Sequence, residues 1–150
     1  MTTALAGQDV AQRVSEAIPG AVEESDAKDV WVKPESIRDV CGFLKDDPDL
    51  RFNFLTAVSA IDYIDHFAVV YHLVSIAHNH SMTLKARIWD RENPTAPSVV
   101  DVWEGANFQE REVYDLMGVR FEGHFNLKRL LLWEGFPGHP HRKDYLEPPR

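Results

Sequence analysis

The sequence predicts an α+β fold: a two-layer domain with a mixed, largely antiparallel sheet and helices on one face, plus an irregular extended C-terminal tail. Three observations carry this. Stretches with the period of an amphipathic helix alternate with stretches of strand character. Two strand candidates, His66–Ile76 and Met82–Trp89, flank a short turn and so read as an antiparallel hairpin. Beyond Phe121 the chain turns rich in Gly, Pro, His and Arg and loses all periodicity. The expected organisation is an α+β domain over residues 1–121 and a partner-binding tail over residues 122–150, forming one structural unit.

Each element has a local reason. Gln8–Ile18 places Val10, Val14, Ala17 and Ile18 on one helical face, and Pro19-Gly20 ends it. Ala21–Glu24 and Asp29–Val32 read as short strands around an acidic turn. Pro34 suits the first turn of a second helix, where Ile37, Val40, Cys41 and Leu44 follow the i, i+3, i+4, i+7 spacing until Asp46-Asp47-Pro48. Phe52–Tyr63 is mostly apolar and β-compatible. In the hairpin, Met82, Leu84, Ala86 and Ile88 alternate with Thr83, Lys85, Arg87 and Trp89, giving one core face and one wetter face. His78-Asn79-His80-Ser81 is its turn, and Asp90–Pro97 is a loop with two prolines. Ser98 is expected to cap a short helix running to Glu104, and Asn107 a second one, Phe108–Met117, closed by Gly118 in a left-handed conformation. In the tail only Leu130–Trp133 looks extended and apolar.

Bulk properties remove several function classes. The 44% hydrophobic and 27% charged composition is that of a globular domain. The longest near-apolar run, Phe67–Ala77, falls well short of the ~20 residues of a spanning helix. The N-terminus shows no basic and apolar regions of a signal peptide, so membrane association is expected only through a partner. A single cysteine, Cys41, rules out an internal disulfide and a cysteine-ligated metal or iron–sulfur site made by this chain alone. The net charge of −8 argues against nucleic acid as a ligand. The acidic excess lies wholly in residues 1–107, whereas residues 108–150 carry seven basic and seven acidic groups and can pair both signs across an interface.

Chemistry-bearing residues concentrate late. Along Phe108–Met117, Val113, Leu116 and Met117 form an apolar stripe for the sheet, Glu112 and Asp115 share another face, and Arg111 and Asp115 are spaced to pair along the helix. Glu110, Glu112 and Asp115 could serve as acid and base in a hydrolase, but that needs a substrate pocket and a raised pKa, neither of which the sequence displays. His78/His80 and His139/His141 are each two apart, yet a zinc or copper site needs further ligands placed by the fold. There is no dinucleotide fingerprint, phosphate loop, Cys-x-x-Cys pair or nucleophile elbow. Arg120, Arg129, Arg142 and Lys143 downstream instead offer partners to the helix carboxylates.

The run Phe108-Gln109-Glu110-Arg111-Glu112-Val113-Tyr114-Asp115-Leu116-Met117-Gly118-Val119-Arg120-Phe121-Glu122-Gly123-His124 resembles the signature of the 30-kilodalton-type (C) subunit of NADH-quinone oxidoreductase, respiratory complex I. Leu127–Leu132 and Gly138–Tyr145 are similar to the same family's C-terminal region. The chain departs from the family pattern at Phe125, where Pro is usual, at Trp133-Glu134-Gly135, and at His141, where Leu is frequent. Related subunits occur in ferredoxin-linked and hydrogenase-type complexes.

The resemblance implies a non-catalytic subunit of the hydrophilic arm, peripheral to the membrane on its cytoplasmic side (matrix or stromal in organelles). Its implied neighbours are the quinone-site and iron–sulfur subunits of complex I (the D and B components), with the I component a further candidate. NADH, FMN, iron–sulfur clusters and quinone would be bound by other subunits, with no cofactor or metal in this chain. On this reading Glu110, Arg111, Glu112 and Asp115 lie on or near a contact helix. His124, Arg129, Arg142, Lys143, Asp144 and Tyr145 are expected to anchor the tail across partner surfaces, the stretch past Gly118 taking its shape only against other polypeptides.

Overall fold

Five strands run side by side in a mixed sheet, whose inner face is set by the strict alternation of buried residues along its second and central members, residues 29–32 and 80–88. The computed structural model describes residues 2–129, 131–132 and 137–145. Strands β2 (Val22–Ser25), β3 (Asp29–Val32), β4 (Phe54–Asp62), β5 (Phe67–Ser75) and β6 (His80–Ile88) lie in the order β2-β3-β6-β5-β4. A two-residue strand, β1 (Thr3–Ala4), pairs in parallel with the start of β6. β4, β5 and β6 form an antiparallel meander, while β3 joins β6 in parallel. Met82, Leu84, Ala86 and Ile88 are buried on one face, and their β5 partners Leu73, Tyr71, Val69 and Phe67 face the same way. The other face keeps Phe54 and Ile61 exposed, and Trp31 there is covered by the Arg87 guanidinium at 3.9 Å.

Three helices cover the buried face. In α1 (Gly7–Ala17), Val10, Ala11 and Val14 point inward, and in α2 (Ile37–Asp46) Ile37, Val40, Cys41 and Leu44 do so, as their spacing predicts. α3 (Ala106–Met117) lies along β4, where the Gln109 side-chain oxygen accepts the Val58 N–H at 2.6 Å. That bond satisfies one donor of an edge strand. Gly118 ends α3 with φ +79°, as expected.

The structure departs from expectation at four places. The hairpin turn spans residues 76–79 rather than 78–81. His80 begins β6 because its ring is buried against Phe52 and meets the Leu50 carbonyl at 2.6 Å. Residues 98–104 form successive turns rather than a helix. Ser98 does accept the Val100 N–H, but its own hydroxyl is drawn to Glu110, and the turns that close, first on the Val99 carbonyl and then on those of Trp103 and Glu104, do not join into a helix. α3 begins at Ala106, and no side chain caps it. The expected 90–97 loop ends in β7 (Thr95–Pro97), with Pro97 at its last position, and β7 pairs in parallel with β8 (Arg120–Glu122). β8 straddles the expected boundary at residue 121; of the extended segment expected at Leu130–Trp133, Leu130 and Trp133 lie outside the described residues, and Leu131-Leu132 form a bend.

Candidate functional site: a helix and two carboxylate anchors that dock the tail

α3 carries two fully buried carboxylates, Glu110 and Asp115, an arrangement that demands internal donors. Glu110 is wholly buried; its carboxylate accepts the Ser98 hydroxyl at 2.6 Å and the Val99 N–H at 3.0 Å. Burial pushes its pKa up to about 7 despite these two bonds. Cys41 and Tyr71 are buried beside it, and burial raises both of their pKa values as well. The raised pKa that acid–base chemistry would need is therefore present, but on a side chain that solvent does not touch.

Asp115, also fully buried, organises the start of the tail. Its carboxylate accepts Arg129 Nη1 at 3.0 Å and the N–H groups of Leu131 and Leu132 at 2.8 and 2.9 Å. The Asp115 carbonyl accepts His139 Nδ1–H at 2.8 Å, and the Leu116 carbonyl takes the His141 N–H. The His139 ring lies so close to Gly118 that an added Cβ would stand 2.8 Å from it. Arg111 does not pair with Asp115 along the helix. It donates instead to the Lys128 and Arg129 carbonyls, both at 3.0 Å. An exposed i,i+4 pair contributes only ~0.3–0.5 kcal/mol, whereas a buried carboxylate left without donors costs several. The tail wins that competition.

A second anchor fixes the tail's far end. Asp62 continues the inward parity of Val58 and Ala60 on β4, so its carboxylate enters the core side and must be met there. Arg91 meets it through two bonds, at 2.5 and 3.0 Å, and the Lys143 N–H adds a third at 2.8 Å. Arg91 holds the Asp62 carboxyl well below the usual carboxylate range. Arg142 donates to Asp144 and to the Arg91 carbonyl, and both guanidinium groups lie over the Phe67 ring, at 4.5 and 4.9 Å.

The ten residues expected to touch partners thus divide. Glu110 and Asp115 point into this chain's own interior, and Arg111, Arg129 and Arg142 serve its own tail. His124 bridges the Asn107 carbonyl and the Asn126 N–H, and Tyr145 packs on Gly138. Glu112, the Lys143 side chain and Asp144 remain exposed. The expectation that the stretch past Gly118 takes shape only against other polypeptides is therefore corrected for its described residues, which rest on the chain's own body. Val119 and Phe121 are buried there, β8 pairs with β7, and two charge anchors hold the rest. His78 and His80, considered above as metal ligands, turn their Nε2 atoms to the Pro48 and Leu50 carbonyls.

Sequence reasoning missed Asp62, Arg91, Ser98 and the contact role of His139. A carboxylate at an inward position of an apolar strand was the available signal for Asp62. Ser98 carried a local signal, but for a helix cap, and nothing local pointed to the contacts of any of the other three, whose partners are 29, 12 and 24 residues away.

The C subunit of NADH-quinone oxidoreductase from Roseiflexus sp. (strain RS-1) is 43% identical over 148 residues, covering 94% of this chain and 84% of the relative. The corresponding protein of Rhodobacter capsulatus is 40% identical over 145 residues, covering 92% and 72%. Among solved structures, a chain of the membrane-bound sulfane sulfur reductase, an archaeal respiratory membrane complex, superposes with a TM-score of 0.74 at 26% identity, over 92% of this chain and 84% of that one. Residues 30–149, which include α3 and both tail anchors, match the family described as respiratory-chain NADH dehydrogenase, 30 Kd subunit, and the chain belongs to that family.

Proposed function

We propose that this chain is a non-catalytic scaffold subunit in the hydrophilic arm of a proton-pumping NADH:quinone oxidoreductase. It would hold the quinone-site and iron–sulfur subunits (the D and B components) in register, with the I component a further neighbour, on the cytoplasmic side of the membrane (matrix or stromal in organelles). NADH, FMN, clusters and quinone would sit in those other subunits.

One observation carries the reading. The buried carboxylates, Glu110, Asp115 and Asp62, are engaged by this chain's own donors, so the charged signature builds a shaped surface rather than a reaction centre. Among the described residues no helix is long and apolar enough to cross a membrane, which fits attachment through neighbours. Electron transfer and quinone docking depend on geometry, so a rigid spacer has value without chemistry of its own. Relatives above 40% identity are NADH-quinone oxidoreductase subunits, which favours that complex over the sulfur-reductase type.

The test is to replace the chromosomal copy with a tagged one, purify the membrane complex and identify its subunits. Recovery of the quinone-site and iron–sulfur subunits with the tag, and loss of NADH:quinone activity in a deletion strain, are expected. Arg142→Ala should leave the isolated chain folded while lowering the yield of intact complex. Normal assembly without the chain would refute the scaffold role.

A further inference from the structure

At the turn between β4 and β5 the chain bears a conformational cost that its side-chain packing does not offset. Tyr63 N–H bonds to the His66 carbonyl, leaving Ile64 and Asp65 as the loop. Ile64 stands at φ +77°, a left-handed value that tight hairpins usually assign to glycine and that a β-branched residue adopts only under strain. Yet the Ile64 side chain is 68% exposed, so no packing inside this chain repays that strain. Around it, Tyr63 and Trp89 are also exposed, at 44% and 60%, and the His66 ring lies between them with centroids 5.0 and 4.4 Å away. Three adjacent aromatic rings, Tyr63 stacked on His66 and Trp89 tilted against it, are thereby held together, at small entropic cost for any contact they make.

The surroundings of this knob are acidic. Asp65, Asp90 and Glu92 are all exposed at its rim. The nearby arginines are taken up by acids, Arg91 by Asp62 and Asp144 and Arg142 by Asp144, so among the described residues the exposed Lys143 is the cation left beside these three carboxylates, and the acids outnumber it. The knob also adjoins the tail's second anchor, since Asp62 both accepts the Ile64 N–H and holds Lys143. An apolar tip with a carboxylate rim suits a hydrophobic socket rimmed by lysine or arginine. It does not suit an anionic lipid surface, which would repel the rim.

From this we infer that the Tyr63-Ile64 tip with Trp89 is a plug that inserts into an apolar, basic-rimmed pocket of another protein subunit. The inference rests on the scaffold reading and assigns it a specific contact. Ile64 supplies the buried centre, and the rings supply the wall.

The test uses the complex itself. A strain lacking the chain is complemented with wild type, Ile64→Asn or Glu92→Lys, and the membrane complex is recovered. A photo-crosslinking residue is placed at position 64 in a parallel strain. Asn tolerates the left-handed backbone, so the isolated Ile64→Asn chain should melt about 2–4 °C higher than wild type. Its share in the complex should nevertheless fall on the order of tenfold. Glu92→Lys should lower retention most at low salt. The crosslink should map to an aliphatic, lysine- or arginine-flanked segment of a different subunit. Wild-type retention of Ile64→Asn, or a crosslink to lipid or to a second copy of this chain, would overturn the inference. If the wild-type chain itself fails to join the complex, the scaffold reading falls, and the plug with it.

Discussion

Replacing Glu110 by Gln should make the protein more stable at neutral pH and abolish most of its pH dependence between about 4.5 and 7. The magnitude follows from burial. The Glu110 carboxyl rises from an ordinary 4.5 to about 7 because the charged form is held away from water. In that interval the folded chain binds a proton that the unfolded chain has released. Stability therefore falls as pH rises through the window, and the full cost is present above pH 7. A shift of that size corresponds to about 3 kcal/mol at 1.36 kcal/mol per unit. Gln keeps an acceptor for the Val99 N–H and can donate to the Ser98 oxygen, at a cost of about 1 kcal/mol for the less suitable bond. The net gain at pH 8 should be roughly 2 kcal/mol, shrinking to a loss at pH 4.5. Urea unfolding at pH 5, 6, 7 and 8 measures both slopes. Equal slopes for wild type and Glu110→Gln, or wild-type stability that rises across this range, would refute the assignment of a buried, reluctantly ionised carboxyl.

Three further outcomes follow from the anchors. Asp115→Ala removes the carboxylate that accepts from Arg129 and from two tail N–H groups and should cost about 3–5 kcal/mol, with trypsin cutting at Arg129 long before the sheet unfolds. Gly118→Ala forces a Cβ into a φ of +79° and against the His139 ring, and should cost about 1–2 kcal/mol in thermal melts while loosening the His139–Asp115 contact seen by NMR. Arg91→Ala removes the chief partner of Asp62, whose folded-state pKa is depressed. The stability that this pair provides is present above the ordinary carboxylate pKa and is lost as pH falls through it. Wild type should therefore lose stability between about pH 4 and 2, and the variant, already destabilised by about 3–5 kcal/mol, should lose less over the same interval.

Much of the architecture was legible because period and punctuation are local. The four-position spacing of Ile37, Val40, Cys41 and Leu44, and the strict alternation from Met82 to Ile88, each report one face, and the fold uses those faces as expected. The misplaced hairpin turn and the absent 98–104 helix have a different origin. In both cases a polar side chain that resembled a local signal was claimed by a distant group: His80 by Leu50, and Ser98 by Glu110. The same holds for the candidate site. The helix signature was found, but whether Asp115 faced solvent, Arg111 or the tail depended on contacts made 14 to 17 residues away. Carboxylate-rich helices look solvated in sequence, and only the fold reveals which of their acids are enclosed.

The amides of Leu131, Leu132 and Lys143 offer the most direct test that the tail is folded by its own chain's carboxylates before any neighbour arrives. Hydrogen exchange on the isolated, monomeric protein should find all three slowed well below the rate of an open peptide, with Leu131 and Leu132 released together in Asp115→Ala. Exchange at the open-peptide rate in the free wild-type chain, with slowing only after incorporation into the membrane complex, would contradict it.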